Sequence, residues 1–164
     1  MTIEFKTGNL LDAKTQFICH QVNYMGKMSA GLAKQIKDKY PEVFESYLLF
    51  IDNNSWDTIY KTGCYDMCLT KDKSKVVLNI FGQKYYGRDK NYTIYEVLKK
   101  SFSKILDDIS RFNVSQKKDY SLGIPYKFGS GLSGGDWDVV YKIIEDIFGE
   151  SDVKAVIYKL ESEK

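Results

Sequence analysis

Histidine is nearly missing: the 164 residues hold one, His20. Proline is almost as scarce, with only Pro41 and Pro125. Proline has a fixed φ and no N–H, so each marks the edge of an element rather than its interior. The three cysteines, Cys19, Cys64 and Cys68, are an odd number without a framework. That excludes a disulfide scaffold and points to a reduced, cytoplasmic setting. Cys64, Cys68 and His20 match no common zinc spacing, so no metal site is expected. Excess charge of one sign is missing as well. A net charge of +2 is too small to argue for nucleic acid by bulk electrostatics, and nucleic acid is not expected as a partner. No apolar run approaches the roughly 20 residues that would span a bilayer, so no membrane association is expected. The start, MTIEFKTGNLL, has no basic flank, long apolar core or cleavage site, and reads as no signal peptide.

What is present is a chain of alternating strand and helix patterns, of a length that fits one domain over residues 1–164. Residues 2–7 alternate, with Ile3 and Phe5 on one face. Phe17 to Val22, FICHQV, is a continuous apolar run that reads as a buried strand. Leu32, Ile36 and Tyr40 recur at fours until Pro41, and Val43, Phe44, Tyr47, Leu48 and Ile51 line the next helix until Asn53–Ser55 end it. Thr62–Thr70 reads as a strand of irregular alternation, Lys71–Lys75 as a charged turn, and Val76–Phe81 as a strong strand. A helix over about 93–112 carries Val97, Leu98, Phe102, Ile105, Leu106 and Ile109, and residues 113–119 form a polar connection. Val153–Leu160 is a last strand, and the tail ESEK is expected to fray. This alternation predicts an α/β fold, a mostly parallel sheet with helices on both faces.

The most informative stretch is Gly123–Trp137, GIPYKFGSGLSGGDW. An apolar strand leads in, Pro125 is expected to stop its ladder, and Gly129, Gly131, Gly134 and Gly135 follow. Asp136 reads as an N-cap and Asp138 as a favourable first-turn charge. The helix beyond buries Val139, Val140, Ile143, Ile144, Ile147 and Phe148, and Gly149 stops it. A strand, a glycine-rich loop and a helix start together make an anion-binding device, because backbone N–H groups can approach a phosphate closely. A second loop of small residues, Asn23–Gly31, also follows a strand and leads into a helix. In parallel sheets ligands sit at the carboxyl ends of strands. The two loops are therefore expected to face each other across one cleft.

The set GNLLDA, HQVNYMGKMSAGLA, VLNIFGQ, IPYKFGSGLSGGDWDVVYKIIE and VIYKL resembles the macro domains, which bind ADP-ribose. The resemblance spans almost the whole chain, in order. Among these it is most similar to the branch that processes ADP-ribose 1''-phosphate and to the related terminal ADP-ribose-protein glycohydrolases. It implies a three-layer α/β/α sandwich with a mixed, mostly parallel sheet, working as a monomer without a cofactor. It also implies roles for particular residues. Asn9 or Leu10 would recognise adenine, with Tyr158 and Leu160 packing beside it. Asn23 would stand by the distal ribose. Met28, Ser29, Ala30 and Gly31 would close over ribose and phosphate. Gly129, Ser130, Gly131, Leu132 and Ser133 would hold the diphosphate. The implied activity is hydrolysis at the distal ribose C1'', on ADP-ribose 1''-phosphate or an ADP-ribosyl ester.

Two departures bear on that activity. The glycohydrolase branch has an aspartate where this chain has Ser133. Its nucleophilic lysine falls near Gly82, with Lys84 two residues on. A non-catalytic ADP-ribose-binding module is the alternative. Removal of ADP-ribose from a nucleic-acid base is a third reading, for which only a local basic patch at Lys84, Arg88 and Lys90 could speak. Asn23 is the first catalytic candidate. His20 is the second, either an acid–base group or a hydrogen-bonded residue of a buried strand. Asp136 reads as a cap rather than a base, Lys84 as a solvated lysine and Trp137 as a core anchor. Tyr85 and Tyr86 either wall the distal ribose or cover a sheet edge. The tyrosines are too scattered to form a base-stacking platform.

Overall fold

A computed structural model describes residues 2–163. The strands are β1 (Ile3–Thr7), β2 (Phe17–Gln21), β3 (Asp66–Leu69), β4 (Val76–Ile80), β5 (Leu122–Pro125) and β6 (Ala155–Lys159). The helices are α1 (Gly31–Lys39), α2 (Pro41–Asn53), α3 (Trp56–Thr62), α4 (Tyr95–Gln116) and α5 (Trp137–Phe148). A 3₁₀ turn, Leu10–Asp12, links β1 to β2. The sheet order is β1-β6-β5-β2-β4-β3. Every neighbouring pair is parallel except β3 with β4, so one antiparallel strand edges a parallel sheet. The expected mixed sheet between helical layers is what forms.

Strand alternation divides the core. Phe17, Cys19, Leu78 and Ile80 face α4 and α5, where Leu98, Phe102, Ile105, Val140, Ile144 and Phe148 meet them. Ile18, Val77 and Val156 face the other way, onto Ile36 and Tyr40 at the end of α1 and Val43 of α2. A third cluster, Val22, Met28, Tyr47, Ile59 and Phe81, lies under the loop that follows β2. Within it Phe81 stacks on Tyr47 at 5.7 Å and on Phe50 at 5.2 Å between ring centroids. That rigid aromatic floor supports the loop above.

Several elements depart from the sequence expectation. Helix α3 lies where no helix was expected, and the strand expected over Thr62–Thr70 shrinks to Asp66–Leu69. The Ser55 Oγ caps α3 by accepting from the Thr58 N–H at 3.1 Å, and Gly63 closes it at φ 69°. Helix α4 runs on to Gln116, which shortens the expected connection. Pro125 ends β5 but does not end the ladder: the Tyr126 N–H donates to the Tyr158 carbonyl at 2.9 Å. Val139 is 38% exposed, because α5 buries a narrower stripe than its apolar residues suggest. The tail coils into a 3₁₀ turn, Glu161–Glu163, held by the Leu160 N–H on Glu163 Oε1 at 2.8 Å, and its last residue lies outside the described residues. Among the described residues no helix is long and apolar enough to cross a membrane. The cysteines are free thiols, and burial pushes that of Cys19 well up.

Candidate functional site

A cleft of about 560 Å³ opens at the carboxyl ends of the parallel strands, and both small-residue loops line it. It is of the size that takes a small organic ligand.

The first loop joins β2 to α1 and is built around Asn23, which is 8% exposed. The Asn23 Oδ1 accepts from the Met25 N–H at 2.9 Å and from the Lys27 N–H at 3.4 Å, while its Nδ2 donates to the Lys27 carbonyl at 2.9 Å. Tyr47 braces the same residue from α2. Its hydroxyl lies 2.6 Å from the Asn23 carbonyl and 2.8 Å from Oδ1, and accepts from the Gly26 N–H at 3.0 Å. Burial pushes the Tyr47 phenol up to about 12, so it stays a donor. Beyond this knot Ser29, Ala30 and Gly31 line the cleft, whereas Met28 turns inward to the core at 1% exposure. Ala30 precedes α1 without a side-chain cap. The free N–H end of α1 therefore opens on the cleft, where Gly31, Leu32 and Ala33 line the wall.

The second loop joins β5 to α5 and folds around the Gly129 carbonyl. That oxygen accepts from the Gly135 N–H at 3.0 Å, from Ser133 Oγ at 2.9 Å and from Thr93 Oγ1 at 2.5 Å. Gly129 sits at φ 70°, a backbone state that favours glycine. Gln21, at the end of β2, ties this loop to the loop after β4. Its Nε2 lies 2.9 Å from Gln83 Oε1, 3.0 Å from Thr93 Oγ1 and 3.2 Å from Ser133 Oγ, so these three acceptors share its two N–H groups. With those bonds made, the N–H groups of Gly129, Gly131, Leu132 and Ser133 have no protein acceptor among the described residues. Gly129, Gly131, Leu132 and Ser133 line the cleft; Ser130 does not, since its hydroxyl turns back on the Lys127 carbonyl at 2.7 Å. The loops meet where Leu132 Cδ1 lies 3.5 Å from a Cβ position built on Gly31.

The remaining candidates are placed as follows. Asn9, Leu10, Tyr158 and Leu160 line the far end of the cleft, with the Asn9 Oδ1 accepting from the Leu11 N–H at 2.9 Å. Asp136 is the cap of α5, its Oδ1 accepting from the Asp138 N–H at 2.9 Å. Trp137 is half-buried, packs against the main core as expected, and meets Tyr126 at 5.2 Å between ring centroids. Tyr86 lines the cleft but Lys84 and Tyr85 do not; the Lys84 ammonium lies 5.3 Å from the Tyr85 ring centre. His20 lines the cleft floor at 2% exposure, with Nε2 2.5 Å from Asn79 Oδ1. Burial lowers its pKa to about 4, outweighing the opposing effect of that hydrogen bond.

Sequence reasoning missed the Gln21, Gln83 and Thr93 network, and Lys27 and Lys127 on the cleft wall. Glutamines next to strand ends carry no spacing signal. Only the three-dimensional meeting of two loops reveals them.

No protein-family model matches the chain. Solved structures do: the macrodomain of Mycobacterium tuberculosis DarG superposes with a TM-score of 0.73 at 26% identity, covering 95% of this chain and 96% of that one. This chain has the macrodomain fold. Thermosipho africanus DarTG, solved in complex with ADP-ribose, superposes with a TM-score of 0.73 at 18% identity, covering 98% of this macrodomain and 42% of that chain. The "DNA ADP-ribosyl glycohydrolase" of Mycobacterium tuberculosis is 30% identical over 157 residues, 95% of this macrodomain and 42% of the relative. The macrodomain thus spans less than half the length of that curated relative.

Proposed function

We propose that this macrodomain binds ADP-ribose in the cleft and hydrolyses ADP-ribosyl conjugates at the distal ribose C1''. The observation that carries this is the pair of facing donor arrays: the uncapped start of α1 and the unpaired N–H groups of Gly129, Gly131, Leu132 and Ser133. Such donors stabilise a diphosphate and cannot be provided by a merely flexible turn. The adenine then lies toward Leu10 and Tyr158, and the distal ribose toward Asn23 and Gly31. The family resemblance supports that direction, and the strand order keeps the two ends apart, with β1 and β6 at one end of the cleft and β2 and β4 at the other.

In the reaction, water attacks C1'', the bond from C1'' to the conjugated group breaks, and the water proton leaves with the departing group or to solvent. Positioning and fixed backbone dipoles supply the acceleration. The mycobacterial relative favours a DNA-linked ADP-ribose as the conjugate. ADP-ribose 1''-phosphate and ADP-ribosyl esters share the same C1'' chemistry. A second reading, ADP-ribose binding without turnover, is favoured by the commitments of Ser133 to the Gly129 carbonyl and of Asp136 to its helix cap.

Incubation with an ADP-ribosylated single-stranded oligonucleotide, with ADP-ribose 1''-phosphate and with an ADP-ribosyl ester separates these readings. Release of ADP-ribose from the oligonucleotide supports the first. Release from the phosphate or ester alone moves the substrate there. Binding without any release establishes the second reading.

A further inference from the structure

One row of polar side chains crosses the sheet from the cleft floor to α2. His20, Asn79 and Asp66 stand in register on β2, β4 and β3 and project on the same face. All are buried, His20 at 2%, Asn79 at 0% and Asp66 at 7% exposure. At the far end Ser46 of α2 donates to the Asp66 carboxylate, its Oγ 3.0 Å and 2.9 Å from the two oxygens. Asn79 Nδ2 donates to Asp66 Oδ2 at 2.9 Å. Asn79 Oδ1 faces His20 Nε2 at 2.5 Å.

Donor and acceptor logic fixes the whole row. A carboxylate only accepts, so the Asn79 atom facing it must be the amide nitrogen. The Asn79 oxygen is thereby turned to His20, and Nε2 must carry the ring proton. Nδ1 is left with a bare lone pair. That atom is buried, has no partner among the described residues, and belongs to a residue that lines the cleft. A buried acceptor without a partner costs free energy, which a bound donor removes.

We propose that the His20 Nδ1 lone pair receives an O–H group at the distal-ribose end of the cleft, either a ribose hydroxyl or the attacking water. This rests on the ADP-ribose reading of the cleft. A lone pair repels phosphate oxygens, so the position suits the sugar and not the diphosphate. His20 is then an acceptor, not a proton-transfer base, and Asn79, Asp66 and Ser46 are positioning residues that hold its tautomer.

The only histidine gives a single pair of ring ¹⁵N signals, so the wild-type protein reports on itself. The expected free-state spectrum has Nε2 protonated and Nδ1 bare. On titration with ADP-ribose, Nδ1 moves toward the protonated position without reaching it, while the amides of Gly129–Ser133 shift with the same affinity. Protonation at Nδ1 in the free protein overturns the proposal. So does a static ring while the loop amides shift, an outcome that leaves the cleft reading intact. Loop amides that never shift refute the cleft reading, and the proposal falls with it. The Asp66→Asn variant should release the tautomer to a mixture of both forms; a ring spectrum unchanged from wild type overturns the positioning role. The His20→Phe variant separates the two sources of the O–H. Affinity for ADP-ribose falling about tenfold assigns it to the ribose. Turnover falling about tenfold at unchanged affinity assigns it to water. No change in either overturns the proposal.

Discussion

Acidification should destabilise the fold through one residue. His20 is held neutral inside the protein, with a pKa lowered by burial from 6.5 to about 4. Below pH 6.5 the unfolded chain binds a proton at this position and the folded chain does not. Stability therefore falls as pH drops, and the contribution is fully lost below about pH 4. The shift gives a loss of about 2 kcal/mol near pH 5 and about 3 kcal/mol near pH 4. Urea unfolding of the wild type and of His20→Gln, compared at about pH 7 and about pH 5, isolates this contribution from the carboxylates that both proteins share. The wild type should lose about 2 kcal/mol more than the variant over that interval. An equal loss in both proteins would show that His20 is protonated or solvated in the folded state. The reasoning about its burial, and about its bare Nδ1, would then be wrong.

Other substitutions probe the loops and the floor beneath them. A Cβ on Gly135 would lie 2.2 Å from the Gly129 carbonyl oxygen and 3.0 Å from Thr93 Cβ. Gly135→Ala should therefore cost about 1–3 kcal/mol in urea unfolding and weaken ADP-ribose at least about tenfold by calorimetry. Asn23→Ala removes the acceptor that Met25 and Tyr47 share. It should cost about 2–3 kcal/mol, with thermal stability and ADP-ribose affinity falling together. Phe81→Ala empties the stack between Tyr47 and Phe50 and should cost about 3–5 kcal/mol, measured by urea unfolding.

Much of this molecule is legible in its sequence because the informative signals are local. Val76–Ile80 declares itself by β-branched residues, and α5 by Asp136 and its apolar period. The glycines of Gly129–Gly135 mark a loop whose backbone is open to the cleft. Helix α3 escaped because it is short and its apolar residues form no long period, although Ser55 and Gly63 bracket it. Met28 and Ser130 fit the binding pattern by position, yet one turns into the core and the other closes its own turn. The row His20, Asn79 and Asp66 could not be read at all. It exists only because the strand register aligns residues far apart in the chain. The sequence marks Asn23 as a ligand-side residue, and in the structure its side chain organises the first loop of the cleft.

Calorimetric titration of the wild-type macrodomain with ADP-ribose, repeated on Gly135→Ala, tests the cleft most directly. Saturable binding at one site, lost or strongly weakened in the variant, is the predicted result. A folded wild-type protein that takes up no ADP-ribose would contradict the reading of the two facing loops as a diphosphate cradle.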